Sequence, residues 1–329
     1  MLKNEEDAKI KIVLRLLEDL GFQKDELLFE RSFNLRVGRC VYRVDTGEQV
    51  NRLAPRLDIL VTRNGRNVCV VEVKNPGMPL TQEDEEQAVS YGRLVHPIVP
   101  FCIVTNGKDH FFVDTVSRKR LEPSELRLDG YSVRLETESY YEAIQHFLGY
   151  STDNLLYFCH WLVRSNLECL KGSAEDRDKN YVPALYHPPK RLEDACSEFM
   201  RSDSRVFALV ADSGMGKTCW ACYKAEELLR SGYPVLFYRA VDIASGGLFH
   251  ALARDLCWEL PFAYSEIESS KRFFEAVADH TLTIILDGLD EIDATDARRL
   301  MDDLIRRTAA RPVKTVITCK PVNWHSLLE

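Results

Sequence analysis

The chain has 329 residues, of which 45% are hydrophobic and 29% are charged, and its formal net charge at pH 7 is −8. This composition is typical of a globular protein with room for two domains of ordinary size. The acidic balance excludes a surface that is basic throughout, and no apolar run reaches the ~18 residues needed to span a bilayer. The polar N-terminus, MLKNEEDAK, is unlike a signal peptide, so the sequence predicts a cytoplasmic protein without a membrane anchor.

The first predicted element is an amphipathic helix over residues 6–20, because apolar side chains recur there at helical spacing and Gly21 supplies a stop. Two β-prone runs follow, LLFERSFNLRV and CVYRVD. Residues 31–66 are basic within this acidic chain, with eight arginines against three carboxylates, a local balance of +5. Such a run is either a solvated face or a phosphate-binding surface, and the sequence leaves both open. The arginines are Arg31, Arg36, Arg39, Arg43, Arg52, Arg56, Arg63 and Arg66.

A β-hairpin is predicted next, because Asn64-Gly65 stands between LDILVT and NVCVVEVK. Glu72 and Lys74 are two residues apart, so an extended strand projects both from one face, with the adjacent valines on the other. The paired strand can bring Asp58 to that same face. Two carboxylates, together with the backbone carbonyl of Val73, predict a Mg²⁺ site at the end of the strand.

Phosphodiester cleavage needs this set of groups. A metal ion polarises the phosphoryl group and lowers the pKa of an attacking water, while Lys74 orients the water or offsets developing negative charge. The alternative is an exposed Glu-Lys pair on an edge strand, which is common, so the spacing of these residues does not decide by itself.

The order of motifs resembles the PD-(D/E)xK nucleases, in particular the N-terminal nuclease domain of the DNA-cleaving subunit of type I restriction enzymes. The resemblance covers about residues 5–120 and rests on D-x(13)-E-x-K in the hairpin, a helix beginning after TQED, and the strand FCIVTNG. It implies that Asp58, Glu72 and Lys74 are the motif's Asp, Glu and Lys. It also implies that Gln87 and Tyr91 form the Gln-x-x-x-Tyr motif on the following helix.

Two further features belong to this resemblance. An acidic residue near the start of the first helix takes part in such sites, and Glu6 is the candidate, with Glu5 and Asp7 as alternatives. Pro55 stands three residues before Asp58, whereas the name of the motif places it next to the aspartate.

The middle of the chain predicts a connection between two domains. Two aromatic-rich runs with a helical pattern precede the polar stretch KGSAEDRDKN and the proline-bearing stretch YVPALYHPPKR. The boundary is therefore expected near residues 171–189. We expect a nuclease domain over 1–125, a helical connector and linker over 126–189, and an NTPase core over 190–329.

The stretch VFALVADSGMGKT, residues 206–218, predicts a nucleotide phosphate cradle, because an apolar strand runs into a glycine-bearing turn and then a helix start. Lys217 is expected to meet the β and γ phosphates and Thr218 to hold Mg²⁺. Ala211 stands where the first glycine of G-x-x-x-x-G-K-[ST] is usual. The predicted cradle comprises Ser213, Gly214, Met215, Gly216, Lys217 and Thr218.

Further on, TLTIILDGLDEID is an apolar strand ending in acids. Asp287 is expected to reach the Mg²⁺ held by Thr218, and either Asp290 or Glu291 to polarise the attacking water. The strands PVLFYRA and VKTVITC, with helices between the strands, predict an open parallel α/β sheet.

The string DGLDEID and the later T-C-K-P resemble the STAND branch of P-loop ATPases, particularly the NACHT type, over about residues 190–325. Family members commonly carry Thr-x-Arg at the later position as a γ-phosphate sensor, and here Lys320 replaces the arginine. A nuclease joined to such an ATPase is similar to prokaryotic antiviral STAND proteins, in which a C-terminal repeat region recognises the target, drives oligomerisation and activates the effector. No such region follows before Glu329, so we expect a truncated chain or a partner that supplies recognition.

The sequence thus predicts an α/β protein with an N-terminal mixed sheet flanked by helices and a C-terminal parallel P-loop sheet. The expected function is that of a Mg²⁺-dependent endonuclease for double-stranded DNA, controlled by ATP binding and homo-oligomerisation after a phage-derived or other protein trigger. One alternative is an ATP-dependent signalling scaffold with an inert nuclease fold. Another is a translocase like the type I restriction subunit, although no residues remain for a second RecA-like lobe.

Overall fold

A computed structural model describes residues 13–29, 33–37, 40–44, 59–129, 133, 137–150, 152–176, 178–257, 273–275, 277–278 and 280–328. By their internal packing, the described residues form two compact units, one up to Asn154 and one from Leu155 onward, apart from 255–257, which group with the first. Within these ranges no helix combines the length and the apolar character that crossing a bilayer requires.

The first unit is built on a mixed sheet. Helix α1 (Leu14–Asp19) is the described part of the predicted first helix, and Gly21 with a φ of +86° follows its end. The sheet order is β1-β4-β5-β6-β7-β8, while β2 and β3 form a separate antiparallel pair. The strands are β1 (Leu27–Phe29), β2 (Phe33–Val37), β3 (Cys40–Val44), β4 (Ile59–Arg63), β5 (Arg66–Val73), β6 (Phe101–Thr105), β7 (His110–Asp114) and β8 (Arg120–Leu121).

The predicted hairpin is confirmed. Strands β4 and β5 are antiparallel, with Ile59 opposite Val71, and they meet at Asn64 and Gly65, whose φ angles are 52° and 74°. Both residues of a type I′ turn need positive φ, which asparagine and glycine tolerate. Strand β5 then runs parallel to β6, so that Glu72 lies beside Val104.

The side chains of β5 alternate between the two faces of the sheet, as predicted. Val71 and Val73 are buried in a cluster that includes Leu17 of α1. Glu72 therefore points to the other face, where α2 (Gln82–Leu94) packs. This helix lies close to the sheet, because a Cβ on Gly92 would meet the sulfur of Cys102 at 2.5 Å.

Helix α2 begins at Gln82, so the prediction that it starts after TQED is wrong by a few residues. Thr81 is the N-cap, and its side chain accepts a hydrogen bond from the backbone N–H of Asp84. Thr81 and Asp84 form a capping box, so the helix begins within the TQED stretch and not after it.

Two helices follow the first sheet. Helix α3 (Thr137–Tyr150) packs on α2, where the rings of Tyr91 and Phe147 meet edge to face at 6.1 Å. Helix α4 (Thr152–Leu167) belongs mostly to the second unit, and Asn166 donates a 2.7 Å hydrogen bond to the carbonyl of Phe237 there. The predicted residue boundaries of the domains stay predictions.

The second unit contains the predicted parallel sheet, with the order β10-β11-β12-β9. The α/β class predicted for both halves of the chain is therefore confirmed. The strands are β9 (Val206–Val210), β10 (Val235–Arg239), β11 (Leu282–Asp287) and β12 (Val313–Cys319). The helices are α5 (Lys190–Arg201), α6 (Lys217–Arg230), α7 (Ala240–Ile243), α8 (Leu248–Cys257), α9 (Ala294–Thr308) and α10 (Pro321–Leu328).

Two candidate functional sites

The first candidate site lies where β5 ends and α2 passes over it. Lys74 Nζ is 3.1 Å from Oε1 of Glu72 and donates a hydrogen bond to Oε1 of Gln87. Glu72 is only 5% exposed, and Gln87 and Tyr91 are also buried. The structure thus brings together the glutamate, the lysine and the glutamine of the predicted motif, while their roles stay predictions.

Asp84 belongs to the same cluster, although the sequence did not single it out. Its Oδ1 lies 3.3 Å from Lys74 Nζ. Burial acts against ionisation of this carboxyl, but hydrogen bonds from Thr81 and the charge of Lys74 outweigh it and hold the pKa of Asp84 below its ordinary value. The only signal in the sequence was its place in the capping box after Thr81.

The predicted metal set is described in part. Asp58 and Glu6, with the alternatives Glu5 and Asp7, lie outside the described residues. The described ranges hold no group of three or more His, Cys, Asp or Glu side chains placed to bind a metal. The donors that are described, the Glu72 carboxylate and the carbonyl of Val73, are hard oxygen ligands of the kind that Mg²⁺ takes.

Only part of the arginine-rich segment, residues 31–66, lies within the described residues. Arg63 is held within the fold: its Nε lies 2.7 Å from Oε1 of Glu26, and its guanidinium stacks over Phe22 at 4.5 Å. Arg63 is therefore held by an ion pair and a ring contact within the fold, while a phosphate-binding role for the segment stays a prediction. The side chains of Arg36 and Arg43 are not described, and Arg31, Arg39, Arg52 and Arg56 lie outside the described residues.

The second candidate site is the predicted phosphate cradle between β9 and α6. Gly214 and Gly216 have φ angles of +80° and +79°, and a Cβ on either would meet no atom within 4 Å. The conformation itself therefore requires glycine at both positions. Ala211 has no such requirement, since its φ is not positive, and its N–H donates a 3.2 Å hydrogen bond to the carbonyl of Cys319.

Lys217 opens α6 and folds back onto the loop. Its Nζ donates hydrogen bonds of 2.8 Å and 3.0 Å to the carbonyls of Ala211 and Asp212. The ammonium thus lies over the loop whose N–H groups are predicted to face a phosphate. Met215, at the tip of this loop, is strongly exposed.

The carboxylate of Asp287 is fixed at the end of β11. Thr318, on the neighbouring strand β12, donates a 2.6 Å hydrogen bond to its Oδ1, and Thr218 bonds to the same carboxyl. Burial raises the pKa of Asp287, although these two hydrogen bonds act in the opposite direction. Thr218 and Asp287 therefore contact each other, while the Mg²⁺ they are expected to share stays a prediction, and the contribution of Thr318 was not foreseen.

The short 3₁₀ turn Leu289–Glu291 carries the remaining acids. The side chain of Asp290 is 4% exposed, and its Oδ2 lies 3.0 Å from Lys320 Nζ. Its Oδ1 is buried and makes no hydrogen bond within the described part of the chain. Burial, with the charges of Asp287 and Asp290, raises the pKa of Glu291.

The phosphate loop and the 3₁₀ turn line a cavity of about 330 Å³. Its wall combines the loop glycines with Lys217, Thr218, Asp290, Glu291 and Lys320. The open glycine cradle and the buried, unbonded carboxylate oxygen of Asp290 fit a nucleotide polyphosphate with its Mg²⁺, because both supply groups that such a ligand satisfies.

Comparison with known proteins matches the two halves of the chain to two families. Residues 4–125 match the type I restriction enzyme R protein N terminus (HSDR_N), and residues 205–329 match the NACHT domain. No curated protein matches the chain. A solved structure of the Aeropyrum pernix ORC1 protein in complex with DNA is similar at 19% identity and a TM-score of 0.32. That match covers 43% of this chain and 40% of the ORC1 chain, too weak a similarity to assign a fold or a function. The chain therefore combines a domain related to the type I restriction enzyme R protein N terminus with a NACHT P-loop NTPase domain.

Proposed function

We propose that the chain is a Mg²⁺-dependent DNA endonuclease whose activity is controlled by ATP at the second site. The observation that carries the proposal is the contact of Lys74 with both Glu72 and Gln87, within the residues matched to the restriction-enzyme domain. A buried carboxylate and an ammonium at one strand end supply a metal ligand and a cation for a phosphate, which is what phosphodiester cleavage uses.

In the nuclease site, Asp58, Glu72 and the carbonyl of Val73 hold Mg²⁺, with Glu6 as a further acid. When bound, the ion would polarise the scissile phosphoryl group and lower the pKa of the attacking water. Lys74 orients that water or offsets the charge that develops on the phosphate.

The Gln-x-x-x-Tyr residues support this lysine. Gln87 accepts a hydrogen bond from the Lys74 ammonium and so directs it toward the strand end. Tyr91, one turn further along α2, packs edge to face on Phe147 and fixes the helix that carries Gln87.

In the nucleotide site, the backbone N–H groups of Ser213, Gly214, Met215 and Gly216 cradle the phosphates. Lys217 exchanges its two carbonyl partners for the β and γ phosphates, which is favourable because a phosphate is an anion and a carbonyl is not. Thr218 and Asp287 hold Mg²⁺.

The water-polarising role falls to Glu291, with Asp290 as the alternative. Asp290 pairs with Lys320. The pKa of Glu291 is raised, so its carboxylate is a stronger base than that of an ordinary glutamate. This suits proton acceptance from water. Lys320 stands where the family's γ-phosphate sensor stands, and release from Asp290 would let it contact the nucleotide.

ATP is proposed to act by stabilising an assembled homo-oligomer. A ligand shifts an equilibrium only by its difference in affinity for the two states, so ATP must bind the assembled form more tightly. Because a single centre cuts one strand, juxtaposed subunits would place centres at both strands of a duplex. A protein trigger, phage-derived in a defence role, would let this assembly form at a lower protein concentration.

The test is to incubate supercoiled plasmid with the protein and Mg²⁺, with and without ATP, and with EDTA as the control. The proposal predicts nicked and linear DNA that require Mg²⁺ and increase with ATP. Intact plasmid at every protein and ATP concentration, together with ATP-dependent oligomers, would support the signalling scaffold with an inert nuclease fold instead.

A further inference from the structure

The carboxylate of Asp84 joins the start of α2 to the side chain of Lys74. Its Oδ2 accepts hydrogen bonds of 2.8 Å from both the backbone N–H and the hydroxyl of Thr81. Its Oδ1 faces the Lys74 ammonium at 3.3 Å. One oxygen therefore fixes the carboxylate on the helix cap, and the other is left to hold the lysine.

The Lys74 ammonium has three donors, and among the described residues it contacts the acceptors Glu72, Asp84 and Gln87. Two of these acceptors are anions. The lysine side chain is 20% exposed, so the ammonium sits at the mouth of the site and can leave it. A lysine on its flexible stem moves to water readily when its anionic partners are withdrawn.

Glu72 has a second task in the proposed nuclease, because it is to bind a divalent cation. A cation on this carboxylate repels the ammonium 3.1 Å away and weakens that ion pair. Asp84 then offers the lysine an anion that needs no rearrangement, since Thr81 already fixes its carboxylate.

We propose that Asp84 is a positioning residue that retains the Lys74 ammonium in the site when a divalent cation occupies Glu72. This inference rests on the proposed nuclease function and adds a residue to it. Asp84 acts through Lys74 and touches neither the metal nor the DNA.

Substitutions can distinguish the positioning role of Asp84 from its role in the helix cap. Asp84→Asn removes the charge but keeps an oxygen that can accept the hydrogen bond of Thr81, so the start of α2 is preserved. Glu83→Gln is the matched control, because Glu83 is an exposed acid in the same first turn. Both variants remove one negative charge near the helix N-terminus, but only Asp84→Asn changes a partner of Lys74.

The decisive experiment is a double-mutant cycle on Mg²⁺ affinity, measured by calorimetry on the full chain without nucleotide, so that the Mg²⁺ proposed to enter the second site with ATP does not contribute. The four proteins are the wild type, Asp84→Asn, Lys74→Met and the double variant. In the wild-type background, loss of Asp84 removes one of the two described anions beside Lys74 and strengthens the pull of its ammonium on Glu72, so Mg²⁺ competes with the ammonium there. We expect Asp84→Asn to raise the Kd for Mg²⁺ about threefold or more there, and less than about twofold in the Lys74→Met background.

An equal factor in both backgrounds would overturn the inference, because Asp84 would then act as a ligand or a general charge. No change in the wild-type background would also overturn it and leave only the helix cap. Under single-turnover conditions, Asp84→Asn should lower the cleavage rate with DNA affinity unchanged, while Glu83→Gln leaves both as in the wild type. A wild-type chain that binds no Mg²⁺ would contradict the nuclease function itself, and the inference with it.

Discussion

Thr318 donates a 2.6 Å hydrogen bond to Oδ1 of Asp287 and accepts one of 2.8 Å from the N–H of Gly288. The hydroxyl thus ties β12 to β11 at the carboxyl ends of the strands, beside the nucleotide cavity. The orientation of Asp287 depends on a residue 31 positions later in the chain.

Replacing Thr318 with valine should therefore disturb both stability and nucleotide hydrolysis. The change leaves a buried carboxylate oxygen and the N–H of Gly288 without their partner, at a cost of about 1–3 kcal/mol. Thr318→Ser is the matched control, since it keeps the hydroxyl. Thermal unfolding and ATP hydrolysis of the two variants check this, and a valine variant that behaves like the serine variant would contradict the role of the hydroxyl.

Lys217→Ala should weaken nucleotide binding strongly without harm to the fold. Within the described part of the chain, the ammonium donates hydrogen bonds to two loop carbonyls, and these can turn to water once it is gone. We expect affinity for a fluorescent ATP analogue to fall by at least about tenfold. Lys190→Ala, at the exposed start of α5, is the control and should bind as the wild type does.

The contacts of the buried Lys224 ammonium lead to a prediction for the stability of the second unit. It lies 2.5 Å from Glu193 and 3.2 Å from Glu227, and Glu193 also accepts a 2.8 Å hydrogen bond from the indole of Trp220. Glu193→Ala leaves a buried charge poorly paired and should destabilise the protein by about 2–4 kcal/mol.

Lys224→Met, which removes the buried charge and keeps an unbranched side chain, should cost less than Glu193→Ala. Denaturant unfolding of both variants compares them directly. A larger loss for Lys224→Met would mean that the ion pair itself, instead of the avoidance of an unpaired charge, stabilises this contact.

The lowered pKa of Asp84 predicts how the stability of the folded chain depends on pH. Its pKa is lowered from the ordinary value of 3.8 in the folded chain. Its stabilising contribution is therefore complete above the unfolded pKa and is lost as the pH falls through the lower folded pKa. The difference in Tm between the wild type and Asp84→Asn should be constant from pH 7 to pH 5 and shrink below about pH 4. A difference that is the same at pH 3.5 and pH 7 would contradict this.

The local parts of both sites could be predicted from the sequence because their signals lie within a few residues. Asn64-Gly65 specifies a two-residue turn, and Gly214 and Gly216 adopt the positive φ that the phosphate loop needs. The proximity of Glu72 and Lys74 follows from strand periodicity alone.

The contacts that depend on tertiary packing could not be predicted in this way. Asp84 reaches Lys74 across a connecting segment, and Thr318 reaches Asp287 only because β12 lies next to β11 in the sheet. The contact of Arg63 with Glu26 was not foreseen either, because the two residues are 37 positions apart in the sequence.

The most direct test of the account is plasmid cleavage by Glu72→Ala and Lys74→Ala in the presence of Mg²⁺ and ATP. Both side chains lie at one strand end, where they are proposed to hold the metal and face the scissile phosphate, so loss of either should abolish nicking. Unchanged circular dichroism and unchanged ATP binding would establish that both variants are folded. The account predicts intact plasmid with both variants and Mg²⁺-dependent nicking with the wild type, whereas cleavage by either variant at the wild-type rate would contradict it.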